Sequence, residues 1–203
     1  MRLSGKVIGF AFTGSHCRVE EVIAEVARLR GEGARVIPIY SPSINTTSTR
    51  FYNVDDFKAR IAELTAETAL TTIVDAEPIG PKKLLDVLVV APTSGNTIAK
   101  LAGAIADTPV LMACKAHLRN ERPLVIAVST NDGLGSNGKN IGSLFNAKNV
   151  YLVPFGQDDP LGKPNSLVAR MDLITDTVLE AIEGRQLQPM IVEAWRYPPN
   201  CMH

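Results

Sequence analysis

The stretch LLDVLVVAPTSGNT, residues 84–97, joins the strongest apolar run of the chain to a polar exit that contains glycine. A short apolar run of this kind is typical of a strand buried in a parallel sheet, so we predict a strand over residues 84–91. Asn96 and Thr97 then open a predicted helix over residues 96–106. In a sheet of this class, ligands bind beyond the carboxyl ends of the strands. The turn between the two elements is therefore a candidate site.

Strands and helices alternate on both sides of this stretch. Further strands are predicted over residues 6–12, 34–40, 71–74, 124–129 and 150–154, and further helices over residues 17–30, 54–69, 109–118, 138–146 and 167–182. Pro38 removes a ladder hydrogen bond, so we expect the second half of its strand to be weak or edge-like. The order predicts an α/β fold with a single doubly wound, flavodoxin-like or Rossmann-like parallel sheet and helices on both faces.

We assign this domain to residues 1–185 and a C-terminal tail to residues 186–203. The tail has no clear period. Its apolar anchors are Met190, Ile191, Trp195 and Tyr197.

The composition argues against several classes of protein. Twenty-one basic and twenty-one acidic residues give a formal net charge of zero, which disfavours nucleic-acid binding. No apolar run approaches the roughly 18 residues of a membrane span, and residues 1–12 carry no convincing signal-peptide cleavage site. The three cysteines have unrelated spacings. They predict neither a disulfide framework nor a metal site, and they fit a reduced, cytoplasmic protein.

Glycine and hydroxyl residues concentrate where two predicted strands end. In residues 13–15 (Thr-Gly-Ser), glycine permits close approach of a ligand, and the amides of the following helix start attract an anion. Residues 91–97 (APTSGNT) offer donors and acceptors for a ribityl chain or a heterocycle edge. Each turn also has a plainer interpretation. The first is an ordinary strand-to-helix turn capped by Ser15, and the second is a helix N-cap.

A third turn, residues 129–139 (STNDGLGSNGK), spaces Gly133, Gly135 and Gly138 as in a dinucleotide fingerprint. We disfavour a nucleotide motif because three residues separate the first glycine from the strand and because the unit comes late in the sheet. A polar substrate loop that includes Lys139 is the functional interpretation. An unliganded surface loop is the alternative.

A fourth turn, residues 41–50 (SPSINTTSTR), is rich in hydroxyl groups and ends in a cation. Arg50 is a candidate partner for an anionic group of a ligand. For most of these residues a solvated loop is the favoured interpretation. Substrate carboxylates need donors, and the candidates are Arg50, Lys139 and the amide groups of residues 133–138.

The strand exits also carry a family resemblance. Residues 91–110, APTSGNTIAKLAGAIADTPV, resemble the P-A-S-A-N-T-I-A-K-x-A-x-G-I-A-D signature of the flavin-binding, decarboxylase-like flavoproteins. That family includes phosphopantothenoylcysteine decarboxylases and lantibiotic cysteine decarboxylases. Residues 9–17, GFAFTGSHC, resemble its first strand and phosphate turn, and the resemblance covers most of residues 5–185.

The resemblance implies FMN as the cofactor and assigns residues to it. By this resemblance the phosphate turn is Thr13, Gly14 and Ser15, a hydroxyl near the flavin is Ser41, and the motif that lines the flavin is Thr93, Ser94, Asn96 and Thr97. No catalytic residue and no metal ligand is assigned.

The chain departs from the decarboxylases after the next strand. They carry Pro-x-Met-Asn-x-x-Met-Trp there, whereas residues 129–135 read STNDGLG. Residues 5–17, 38–51, 113–135 and 193–199 instead resemble a branch of the family that acts in sporulation. This resemblance implies oxidation of dihydrodipicolinate to dipicolinate in the mother-cell cytoplasm, together with an NAD(P)-binding A subunit. It also implies a homo-oligomer. The alternatives are an FMN-dependent decarboxylase of the same fold and a non-catalytic scaffold subunit.

Overall fold

The computed structural model describes residues 1–51 and 53–192, and these residues form seven strands and eight helices. The strands are β1 (Val7–Phe12), β2 (Arg35–Tyr40), β3 (Val87–Thr93), β4 (Leu124–Thr130), β5 (Val150–Leu152), β6 (Phe155–Gly156) and β7 (Leu167–Ala169). The helices are α1 (Val19–Gly31), α2 (Pro42–Thr46), α3 (Val54–Thr65), α4 (Ile73–Ala76), α5 (Gly95–Ala102), α6 (Pro109–Leu118), α7 (Gly138–Phe145) and α8 (Ile174–Ile182). Short 3-10 turns cover His16–Arg18, Glu77–Ile79 and Met171–Leu173.

The sheet has the order β2-β1-β3-β4-β7-β6, and β5 also pairs with β4. Strands β1 to β5 pair in parallel, and all seven residues of β3 are buried, as expected for a strand covered on both faces. The predicted α/β architecture is confirmed. The sheet is nevertheless mixed, because β7 pairs antiparallel with both β4 and β6.

Pro38 does mark an edge strand, but the second half of β2 is not weak. Pro38 and Tyr40 both pair in register with β1. The Pro38 carbonyl faces the outer edge, where it accepts a hydrogen bond from Leu70 N (2.9 Å). The N–H and C=O of one strand residue point the same way, so the missing donor also faces outward and β1 loses no partner.

Two sequence-based predictions of secondary structure are wrong. Residues 71–74 do not form a strand, because Thr72 and Asp75 make a reciprocal capping box that starts α4. Residues 167–182 are not one helix either. Their first three residues form β7, and α8 begins only at Ile174. Similarly, the turn at residues 41–50 contains a short helix, α2.

The first part of the tail docks on the sheet. Phe155 N donates to Met190 O (3.0 Å), and Val192 N donates to Phe155 O (3.1 Å). The side chain of Gln186 bonds both the N–H and the C=O of Leu152. The predicted anchors Trp195 and Tyr197 lie outside the described residues. Within the described residues, no helix has both the length and the apolar character of a membrane span.

A buried carboxylate ties α1 to the start of α8. Glu25 is 6% exposed, and its Oε2 accepts hydrogen bonds from Thr175 N (3.0 Å) and Thr175 Oγ1 (2.7 Å). Glu25→Ala should lower the free energy of unfolding by about 2 kcal/mol, because it leaves two buried donors unpaired. Urea unfolding measures this. Glu20→Ala is the matched control on the same helix, since it removes only an exposed pair with Arg60 that contributes about 0–1 kcal/mol. Equal losses in the two variants would contradict the prediction.

Candidate functional site

The turns that end β1 and β3 are joined by hydrogen bonds. The Thr13 hydroxyl donates to Pro92 O (2.7 Å) and accepts from Ser94 N (2.9 Å). Ser94 caps α5, since its Oγ accepts from Thr97 N (3.4 Å) and lies 3.0 Å from Thr97 Oγ1. Residues 13–15 and 92–97 therefore meet beyond the carboxyl ends of β1 and β3.

These turns form one wall of a cleft of about 480 Å³, here named the β1–β3 cleft. It is lined by Thr13, Gly14, Ser41, Pro42, Ser43, Ser94, Asn96, Thr97, Lys100, Thr108, Val110 and Leu111. Six of the twelve residues carry a hydroxyl group. Pro42, Val110 and Leu111 add an apolar surface, and Lys100 adds a cation that is paired with Asp107 (2.6 Å). A cleft of this size and mixture suits a ligand with a flat ring, a polyhydroxyl chain and an anionic group.

The backbone of β1 brings Ser41 to this cleft. Ser41 N donates to Phe12 O (3.1 Å), which extends the β1–β2 pairing by one residue. The chain then turns into α2, with Ser41 at the N-cap position and Pro42 in the first turn. The Ser41 hydroxyl lies 3.2 Å from Ser43 Oγ, so two hydroxyl groups stand together at the cleft wall.

A second cleft, here named the β1–β4 cleft, encloses about 240 Å³. Its lining residues are Gly14, Ser15, Cys17, Arg18, Ser94, Ser129, Thr130, Asn131, Asp158, Lys163 and Val168. The hydroxyls of Ser15 and Ser129 lie 2.6 Å apart and link the ends of β1 and β4. Because Gly14 and Ser94 line both clefts, ligands bound in the two would be neighbours.

Six of the eight residues predicted to hold the cofactor line the β1–β3 cleft, namely Thr13, Gly14, Ser41, Ser94, Asn96 and Thr97. Ser15 lines the β1–β4 cleft instead. Thr93 lines neither cleft, since it is fully buried and its hydroxyl donates to Val90 O (2.6 Å). Thr93 thus supports the end of β3 and does not present its hydroxyl to a ligand. The roles of the other seven stay predictions.

The glycine-rich loop after β4 is held together by hydrogen bonds between its own residues. Asp132 Oδ1 accepts from Thr130 Oγ1 (2.5 Å) and from Asn137 Nδ2 (2.9 Å), and these bonds hold the pKa of Asp132 below its ordinary range. Gly135 N donates to Asp132 O, and Gly138 N donates to Gly135 O. These two amides are not free to bind a carboxylate, contrary to the expectation from the sequence.

None of the remaining substrate candidates lines either cleft. Gly133 is buried, and a Cβ on it would lie 2.7 Å from Leu167 Cβ. Lys139 is exposed and lines neither cleft. The Arg50 guanidinium lies 4.8 Å from the centre of the Phe51 ring, and Arg50 also lines neither cleft. The structure therefore does not bring the predicted substrate residues together.

Sequence reasoning missed four charged residues at the clefts. Lys100 follows Asn96 by four positions, so helical periodicity places both on one face of α5, and this signal was available. Arg18, Asp158 and Lys163 meet only because the loop between β6 and β7 reaches the turn that follows β1. No local pattern in the sequence predicts that meeting. Among the described residues, no group of three or more His, Cys, Asp or Glu could hold a metal ion.

Known proteins match this chain over nearly its whole length. Residues 2–176 match the Flavoprotein family. The chain is 49% identical over 194 residues to the B subunit of dipicolinate synthase from Bacillus subtilis (strain 168), covering 96% of this chain and 97% of that protein. It is also similar to the crystal structure of the B subunit of dipicolinate synthase from Bacillus halodurans C. The TM-score there is 0.89 at 46% identity, over 96% of this chain and 100% of that one.

A more distant structure, the FMN-binding protein AtHal3, shares the fold. Its TM-score is 0.63 at 21% identity, and the match covers 90% of this chain and 99% of that chain. The chain belongs to the Flavoprotein family.

Proposed function

We propose that this member of the Flavoprotein family is one component of an enzyme that oxidises dihydrodipicolinate to dipicolinate during sporulation. Its partner is the NAD(P)-binding A subunit of dipicolinate synthase. The site of action is the mother-cell cytoplasm, and the chain works as a homo-oligomer. The observation that carries the proposal is the convergence of six flavin-type residues in the β1–β3 cleft of a chain so similar to the B subunit of that enzyme.

The donor set of the β1–β3 cleft fits FMN. The hydroxyls of Ser41 and Ser43 suit a phosphate or a ribityl chain, and Lys100 supplies a positive charge. Val110 and Leu111 offer an apolar wall for a flat ring. When bound, FMN would supply a two-electron acceptor beside the β1–β4 cleft.

Formation of the aromatic ring removes two electrons and two protons from dihydrodipicolinate. These leave as a hydride and a proton. FMN held in the β1–β3 cleft, or NAD(P)⁺ held by the partner, would supply the hydride acceptor, and the proton would go to solvent. In either case this chain orients the ring and excludes water from it.

Asn96→Ala should weaken FMN binding about tenfold, because it removes a polar side chain from the cleft wall. Asn96 is exposed, so the substitution should leave the fold intact. The measurement is a flavin fluorescence titration. Asn146→Ala is the control, since Asn146 is also an exposed asparagine but lines neither cleft. Failure of the unaltered chain to bind FMN would refute the flavin part of the proposal.

The oxidation itself is tested by mixing the chain with its partner, NAD(P)⁺ and dihydrodipicolinate. We expect dipicolinate to form faster with this chain than without it. Equal rates would end the proposal. Activity that Asn96→Ala and Thr97→Ala leave unchanged would support the scaffold alternative. Release of carbon dioxide from a peptide ending in cysteine would support the decarboxylase alternative.

A further inference from the structure

We propose that the β1–β4 cleft is the dicarboxylate site of this enzyme and that Arg18 and Lys163 are its carboxylate-binding residues. This inference rests on the proposed function, because it places the dicarboxylate substrate of that reaction. Neither residue lies in the glycine-rich loop or in the flavin-type turns. Both enter the cleft from elements that sequence reasoning did not bring together: the turn before α1 and the loop between β6 and β7.

The two cations flank one carboxylate, and neither makes a direct hydrogen bond to it. Arg18 Nη2 lies 3.5 Å from Asp158 Oδ2, and Lys163 Nζ lies 3.8 Å from the same oxygen. Both distances exceed the 2.7–3.2 Å of a direct N–H···O hydrogen bond. Arg18 also pairs through Nη1 with Glu21 (2.7 Å), which anchors the guanidinium at the start of α1. Each cation therefore keeps donors that can reach a ligand in the cleft.

Asp158 is incompletely satisfied. Its Oδ1 is buried and has no hydrogen-bond partner within the described part of the chain. Burial alone would raise the pKa of Asp158. The hydrogen bond from Ser166 and the charge of Lys163 outweigh it, with a smaller contribution from Arg18, so the pKa is lowered and the group stays ionised. A buried oxygen of this kind needs a donor. A hydrogen-bond donor on a ligand in the cleft would supply one.

The position and size of the cleft fit a small ring with two carboxylates. Its volume, about 240 Å³, lies below the roughly 300 Å³ at which pockets for drug-sized ligands begin. The hydroxyls of Ser15 and Ser129, which lie 2.6 Å apart, add polar groups to the lining. Since Gly14 and Ser94 also line the β1–β3 cleft, a ring bound here lies next to a flavin bound there.

The test measures binding separately from turnover. The probe is dipicolinate, titrated calorimetrically into the complex of this chain and its partner loaded with FMN. Lys163→Met and Arg18→Ala should each raise the Kd for dipicolinate about tenfold and leave the Kd for FMN unchanged, because each removes one charge-assisted contact. Lys163 lies on an exposed loop, so its variant should fold normally. Lys148→Ala is the matched control, since Lys148 pairs with Glu121 and lines neither cleft.

Unchanged dipicolinate binding in both variants would overturn the assignment, and so would binding of benzoate as tightly as dipicolinate. The two proposals fail in different ways. Weaker dipicolinate binding in both variants, with no oxidation by the unaltered complex, would support the dicarboxylate site and contradict the proposed reaction. Oxidation with a KM for dihydrodipicolinate that neither variant changes would support the reaction and contradict this site.

Discussion

Gly95→Ala is expected to lower the free energy of unfolding by about 3 kcal/mol and to weaken FMN binding about 100-fold. A Cβ at Gly95 would lie 2.5 Å from Thr130 Oγ1, 2.8 Å from Asn137 Nδ2 and 2.9 Å from Asp132 Oδ1. These three side chains hydrogen-bond to one another, so none can move without breaking a bond. The start of α5 would therefore move instead. That movement displaces Ser94, which lines both clefts.

The control is Gly142→Ala in α7. Nothing lies within 4 Å of a Cβ built at Gly142, so this change should be neutral or stabilise by about 0.5–1 kcal/mol. Urea unfolding and flavin titration on the two variants give the comparison. If the Gly95→Ala protein is as stable as the Gly142→Ala protein, the loop after β4 can move to accommodate the added methyl group at no cost in stability. The close approach of α5 to that loop would then not fix the site.

Gly95 also illustrates how far the sequence predicts the fold. The strand, the turn and the helix around it are local features, and hydrophobic patterning predicted all three close to their observed positions. The strand prediction at residues 71–74 failed because a capping box outweighed a run of β-branched residues. The prediction of one helix over residues 167–182 failed because β7 pairs with β4. Such pairing depends on residues almost forty positions away and leaves no local periodicity.

The two clefts differ in the same way: one depends on local sequence and the other on contacts between distant residues. Eight of the twelve lining residues of the β1–β3 cleft lie in the turns after β1, β2 and β3, whose composition is informative by itself, and six of them were named from the sequence. The charged part of the β1–β4 cleft needs Arg18 to meet Asp158 and Lys163 across the molecule. Single charged residues in polar segments resemble a solvated surface. Only the folded hairpin of β6 and β7 shows that they line a cleft.

Acid should destabilise this protein through His117, with an effect of about 2 kcal/mol between pH 7 and pH 5. His117 is 1% exposed at the end of α6, and burial lowers its pKa from 6.5 to about 4, although its hydrogen bond to Pro123 O (2.9 Å) acts in the opposite direction. Above pH 6.5 the ring is neutral in both the folded and the unfolded chain. Between pH 6.5 and about 4 only the unfolded chain takes up the proton, so stability falls as the pH falls through that window.

His117→Gln isolates this contribution, because glutamine keeps an N–H donor for Pro123 O but does not titrate. Urea unfolding of both proteins at pH 7 and pH 5 gives two losses of stability. Carboxylates titrate equally in both proteins and cancel in the difference. We expect the unaltered protein to lose about 2 kcal/mol more than the variant. The variant should be less stable at pH 7, since glutamine packs less well than a buried ring, but its pH dependence should be flatter. Parallel losses would mean that His117 is solvated or protonated in the folded protein, and its burial between α6 and the start of β4 would then be incorrect.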